Sequence, residues 1–144
     1  MNELELSALE ILGIDNVLFG VADFEAARRF YAEQLGLPVK FEVPGMGLAG
    51  FRLGPEEPGL LIRTGSGSPR VWLEVADARA AAAALRMRGI EPLAEPFEVQ
   101  TGWTVEIADT AGNVIGLTDY SKRPEMARPP SAPRGEVGAG PPGA

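Results

Sequence analysis

No histidine and no cysteine occurs in the 144 residues. Without imidazole, neither Ser66 nor Ser68 can belong to a Ser-His-Asp triad. Without thiols there are no disulfides, no thiolate catalysis and no cysteine metal sites. A cysteine-free chain suits a reducing compartment, and the cytoplasm is the expected location. No apolar run reaches the roughly 18 residues of a membrane span. The first residues carry Glu3, Glu5 and Glu10 and no basic residue, unlike a secretory leader. Positive charge is scarce, with 13 basic against 20 acidic residues and a net charge of −7. Residues 121–144 hold Lys122, Arg123, Arg128 and Arg134 against Glu125 and Glu136, so the acidity belongs to the rest of the chain. An acidic body argues against nucleic acid or an anionic membrane as partner.

What is present is a repeat. Val21-Ala22-Asp23 returns as Val75-Ala76-Asp77, 54 residues later (75 − 21). Gly36 returns as Gly89, and Phe41-Glu42-Val43 as Phe97-Glu98-Val99. Self-similarity at one period signals two copies of a supersecondary unit.

Each copy reads β-α-β-β-β. In the first, Ile14 to Val21 has strand length and composition. Asp23 is placed to cap a helix whose apolar face is Ala26, Ala27, Phe30, Tyr31 and Leu35, with Gly36 as its stop. Strands are expected over 37–43, 48–53 and 60–64. Gly65-Ser66-Gly67-Ser68-Pro69 is a flexible joint. In the second copy, a strand over 70–75 precedes an alanine-rich helix capped by Asp77 and ended by Gly89. Strands near 97–100, 103–108 and 114–118 complete it. Residues 1–13 stand outside the repeat and are expected to form a short helix. Residues 121–144, with Pro124, Pro129, Pro130, Pro133, Pro141 and Pro142, are expected to be a disordered tail.

Three local patterns resemble the vicinal oxygen chelate superfamily of glyoxalases, bleomycin-resistance proteins and extradiol dioxygenases. They are Ile14-Asp15-Asn16-Val17 running into Val21-x-Asp23; Phe30-Tyr31 followed by Leu35-Gly36-Leu37-Pro38; and Asp109 to Leu117, similar to D-P-D-G-N-x-I-E-L. The resemblance covers residues 14–120. It implies an α+β fold in which two tandem modules, 14–65 and 69–120, form a curved mixed sheet around a cleft, within one chain or across a dimer.

The resemblance also implies four metal-ligand positions, one in each of four strands. Here they hold Asn16, a residue at or beside Ile62, Arg70 and Gly116. Divalent cations need converging lone-pair donors, and this set supplies little more than one neutral amide. No metal and no other cofactor is expected. Arg70, Trp72 and Glu74 share one strand face by alternation. With Asn16, Leu18 and Gly116 they are expected to line the cleft. Arg70 can grip an anionic ligand or pair internally with Glu74 or Glu106. Gly116 in place of a bulkier glutamate would leave room for a ligand. Trp103 is a second candidate wall, although Val105 and Ile107 share its face and look like core. Phe51 can line the cleft or back the sheet.

The reading favoured by these residues is a metal-free binding protein that sequesters a drug or metabolite, working as a homodimer. The alternative is a metal-independent isomerase or lyase with Glu74 or Glu106 as base and Arg70 stabilising an oxyanion. A third possibility is a protein-interaction module with a vestigial cleft. Protein purified without chelator is expected to carry far less than one equivalent of zinc, iron, nickel or manganese per chain. Elemental analysis checks this.

Overall fold

The computed structural model describes residues 7–130 apart from Glu57, Ser66 and Ser68. Its strands are β1 (Gly13–Val21), β2 (Val39–Val43), β3 (Leu48–Arg52), β4 (Gly59–Thr64), β5 (Arg70–Glu74), β6 (Phe97–Val99), β7 (Gly102–Ala108) and β8 (Val114–Thr118). They form one curled mixed sheet in the order β2-β3-β4-β1-β5-β8-β7-β6. Helices α1 (Phe24–Arg29) and α2 (Ala78–Met87) come after β1 and β5.

The repeat has a direct structural expression. β1 pairs with β4 in parallel, and β5 pairs with β8 in parallel. The modules join where β1 runs antiparallel to β5, with Val17 opposite Val71. These two valines are 54 residues apart, the period of the repeat. An approximate two-fold axis therefore passes between them, and both modules lie in one sheet of one chain.

Both helices start as the sequence dictates. Asp23 accepts from the Ala26 amide and Asp77 from the Ala80 amide, each at 3.0 Å. Gly36 and Gly89 lie just past the helices at φ +78° and +81°, a region that costs glycine little. α1 departs from expectation by continuing into a π-helical turn over Phe30–Gln34. Such a turn adds a residue and rotates the side chains beyond it about the helix axis. Tyr31 still packs on the sheet, whereas Phe30 and Leu35 are exposed, so the anticipated apolar face is narrower.

Each helix covers its own core on one side of the sheet. Under α1 lie Ala49, Phe51 and Ile62, with Phe19, Phe24, Ala27 and Tyr31 around them. Under α2 lie Val75, Val105, Leu117 and the helix residues Ala78, Ala81, Ala82 and Leu85. Small side chains on α2 allow a close approach to the strands. Leu9 packs on this second core, and Ser7 and Ala8 are helical. The helix expected over residues 1–13 does not extend further: residues 9–12 are a turn and irregular chain and Gly13 already begins β1, while residues 1–6 lie outside the described residues.

Asp119, just beyond β8, ties three elements together. It is buried and accepts from the amides of Ala78 (2.7 Å) and Trp103 (2.9 Å) and from the Ser121 amide and hydroxyl. A Cβ on Gly102 would lie 2.1 Å from its Oδ1, so glycine is required beside it. Burial pushes its pKa up, but these donors outweigh burial and hold it below the ordinary carboxylate value.

The segment expected to be a tail is ordered in its first part. The Lys122 amide bonds the Thr101 carbonyl, and Pro124–Met126 forms a 3-10 turn. Arg128 then reaches Glu74, with its amide at 2.9 Å and its guanidinium at 3.0 Å. Its Nη2 donates to the Ile14 carbonyl at 3.0 Å. Composition misled here because one arginine and a buried carboxylate can order a segment poor in apolar residues. The expected disorder of residues 131–144 lies outside the described residues.

The Arg128 and Asp119 contacts can each be tested. A chain ending at Tyr120 leaves the Glu74 carboxylate buried without its guanidinium and is expected to lose about 3 kcal/mol of stability. A chain ending at Pro130 is expected to melt like the full chain; thermal unfolding of the two checks this. Asp119→Asn is expected to cost about 1.5–3 kcal/mol at neutral pH, the range for hydrogen bonds to a charged group. Because the folded pKa is depressed, this stabilisation is complete above the unfolded value near about 4 and is lost as pH falls through the folded value. The gap between wild type and variant should therefore close in acid, as denaturant melts at several pH values would show.

Candidate functional site

The sheet side away from the helices is concave and carries the polar centre of the molecule. Register places each residue. Asn16 of β1 lies opposite Trp72 of β5 on one side and Gly59 of β4 on the other. Leu18 lies opposite Arg70 and Leu61, and Trp72 lies opposite Gly116 of β8. Gly116 in turn faces Glu106 of β7. Asn16, Leu18, Arg70, Trp72, Glu74, Glu106 and Gly116 therefore share the concave face.

Three expected site residues stand elsewhere. Phe51 and Ile62 are fully buried beneath α1. Trp103 packs with the second core, and the Arg79 guanidinium lies 4.4 Å from its ring centroid. The cause is parity. Trp103 points with Val105 and Ile107 towards α2, leaving Thr104 and Glu106 on the concave side. In β4, Leu61 and Arg63 are the concave residues, and Ile62 between them points away. Leu61 faces Leu18 as Gly116 faces Trp72, so Leu61 is the structural counterpart of Gly116.

The centre of the face is a closed polar network. Arg70 Nη1 donates to both oxygens of Glu106, at 2.9 and 3.0 Å. The Trp72 indole N–H donates to the same carboxylate at 3.0 Å. Of the two partners expected for Arg70, Glu106 is the one it takes, while Glu74 takes Arg128 instead. The side chains of Arg70 and Glu106 are 18% and 16% exposed, enough burial for the pair to be well held.

Gly116 does not open a void. A Cβ there would lie 2.4 Å from Cδ1 of Trp72, so the indole occupies the space above the glycine. The same ring lies 6.3 Å, centroid to centroid, from Phe97 of β6. On the other module, Phe41 covers Gly50 in a similar way. Two aromatic flanks thus face a middle formed by Asn16, Leu18 and Leu61. The Oδ1 of Asn16 is buried and has no hydrogen-bond partner among the described residues, while its Nδ2 donates to Asp15 at 2.9 Å. Asp15 also accepts from the Tyr120 hydroxyl.

Where the β1, β4 and β5 ends meet, a cleft of about 260 Å³ opens. Its lining includes Leu18, Gly20, Arg63, Gly65, Gly67 and Arg70. Arg63 and Phe97 escaped the sequence reading. Parity along β4 could have found Arg63; nothing short of strand pairing could have brought Phe97 to Trp72.

The positions equivalent to a metal site are therefore Asn16, Leu61, Arg70 and Gly116. They offer one neutral oxygen, no carboxylate and a fixed cation. Glu106, the nearest carboxylate by register, is already held by Arg70 and Trp72. This donor set does not fit a divalent ion.

Solved structures share this architecture at low identity. A glyoxalase/bleomycin resistance protein/dioxygenase superfamily member from Vibrio splendidus 12B01 aligns with a TM-score of 0.59 and 12% identity, over 74% of this chain and 97% of that one. Methylmalonyl-CoA epimerase from Mycobacterium tuberculosis aligns with a TM-score of 0.66 and 19% identity, over 83% and 96% of the two chains. An extradiol ring-cleaving dioxygenase from B. fuscum gives 0.62 and 21%, over 78% of this chain and 34% of that one. At these identities the likeness concerns the fold. No curated protein matches the chain. The family model of the Glyoxalase/Bleomycin resistance protein/Dioxygenase superfamily matches residues 13–117, and with the paired modules described above the chain belongs to that superfamily.

Proposed function

We propose that the protein is a metal-free small-molecule binder that holds its ligand on the concave face. The observation that carries this reading is the replacement of a donor set by the Arg70–Glu106–Trp72 network. Where metal-dependent chemistry would need converging lone pairs, this face has a cation, an indole and a glycine. Trp72 and Phe97 offer flat apolar surface. The unpartnered Asn16 Oδ1 supplies a second argument, since a buried acceptor left unpaired costs about 1–3 kcal/mol and a ligand N–H or O–H would remove that cost.

The acid–base alternative has less support. Glu106 is engaged by Arg70 and Trp72, and Glu74 is engaged by Arg128 and buried. Neither carboxylate presents itself to an open space as a general base should. In the favoured reading two copies form a homodimer. The exposed apolar residues Val39, Val43 and Met46, on or next to edge strand β2, support a partner there.

A thermal-shift series in the presence of EDTA tests the reading. Planar aromatic acids and their neutral amides are the probes, since a ligand of the folded state must raise its stability. At least one acid is expected to raise the melting temperature without added metal and to be recovered unchanged. Trp72→Leu should abolish the shift, and Arg70→Lys should weaken acid binding by about 1.5–3 kcal/mol because the planar fork is lost. A shift that appears only with a divalent metal, or a probe that is consumed, would sink the proposal.

A further inference from the structure

The cleft at the end of β1 has a chemistry of its own. Its floor is Leu18 and Gly20, and its two polar walls are arginines from the strands on either side of β1. Arg63 of β4 lies opposite Gly20, and Arg70 of β5 lies opposite Leu18. Both point to the concave side. Two strand spacings separate their backbones, about 9–10 Å, so their long side chains can converge on one group between them.

The two cations are not equally occupied. Arg70 uses only Nη1 on Glu106, which leaves its Nε and Nη2 without a hydrogen bond among the described residues. Arg63 has no carboxylate within ion-pair distance among the described residues. Its cross-strand neighbours are Gly20 and Leu48, and neither can neutralise it. Arg63 is exposed at the mouth of the cleft, so its guanidinium is available to a ligand there.

Glycine backbone bounds the cleft on one side. A Cβ on Gly20 would lie 2.9 Å from the Gly65 carbonyl and 3.1 Å from the Gly67 nitrogen. Gly65 and Gly67 therefore lie directly over Gly20, with the Gly65 amide anchored on the Val21 carbonyl at 2.9 Å. Gly65 and Gly67 thus form one wall of the cleft.

We infer that Arg63 and Arg70 form a phosphate-binding subsite of the proposed ligand face, and that the natural ligand is a small organic phosphate or diphosphate. This rests on the small-molecule reading above and deepens it. A carboxylate has two oxygens and satisfies one fork. A tetrahedral phosphate presents three, enough for two guanidinium forks arriving from opposite sides. The cleft volume suits such a group and leaves the rest of the ligand to extend over Leu18 towards Trp72.

Calorimetric titration of the full chain with inorganic pyrophosphate at fixed ionic strength tests this, with chloride as control. Saturable binding is expected, weakened about tenfold or more in Arg63→Gln, as loss of a charge-assisted hydrogen bond implies. Arg63 is exposed, so this variant should fold; an unchanged melting temperature verifies it. Gly20→Ala should also weaken binding, by pushing the joint away. Heat no greater than with chloride, or equal affinity in wild type and Arg63→Gln, would overturn the assignment. So would binding to phosphatidate vesicles without binding to soluble pyrophosphate. Aromatic acids read by the tryptophan fluorescence that is lost in Trp72→Leu separate the two readings. If they bind while pyrophosphate does not, only the phosphate subsite fails.

Discussion

The antiparallel pairing of β1 with β5 is the contact on which the remaining architecture depends. Each module alone is four strands and a helix, with β1 or β5 at its margin. Joining the margins makes one sheet and buries what would be two open edges. It also fixes parity across the seam. With Val17 opposite Val71, Asn16 and Arg70 must fall on the same side, as must Leu18 and Trp72. A slip of one residue would send Trp72 towards the helices and Val71 into the cleft. The polar centre is therefore a consequence of register at the seam and needs no separate device to assemble it.

Polar ties then hold the ends of that sheet. Asp119 joins the start of α2 to the start of β7 and to Ser121. Arg128 closes over Glu74 beside Gly13, where a Cβ would lie 2.6 Å from the guanidinium. Glycine at position 13 is thus the counterpart of the arginine 115 residues later (128 − 13). These ties are long in sequence and short in space, and each satisfies a carboxylate that burial would otherwise make costly. They explain why the domain does not stop at the last strand of the repeat.

The fold was legible because its signals are local and occur twice. Asp23 with Gly36 and Asp77 with Gly89 bracket two helices in the same way, and β8 has the limits that its residues imply. Arg70, Trp72 and Glu74 were legible as a face because alternation along one strand needs no partner. What alternation cannot do is choose between the two faces of a strand buried on both sides. Phe51 and Ile62 illustrate this: each lies in an apolar strand where either parity reads as core. The offset between copies is 54 residues at the seam, 56 from Gly50 to Glu106 (106 − 50) and 55 from Leu61 to Gly116 (116 − 61), because the segments joining the strands differ in length between the modules. Carrying the seam offset into β4 points to Ile62, one place away from the residue that faces the cleft. Arg128 was illegible for another reason, since a composition rule averages over residues and the docking is done by one.

On the concave face a cationic side chain stands among the positions that a metal site would use. A cation at the centre of a donor set neutralises carboxylates and fixes their positions. Here Arg70 does both for Glu106, through one nitrogen of a planar guanidinium that meets both carboxylate oxygens. Glu106 then orients the Trp72 indole through its N–H, and the glycine at 116 gives that ring a place to lie. The indole in turn shields the ion pair from water, which strengthens it. Arginine, glutamate, tryptophan and glycine therefore act as one unit. Changing any of them alone leaves a partner stranded: a carboxylate without its cation, or a ring displaced by a methyl group. A surface held this way is preorganised, so a ligand that meets it does not have to order it first. Such preorganisation, obtained from side chains alone, is what the proposed binding role would require.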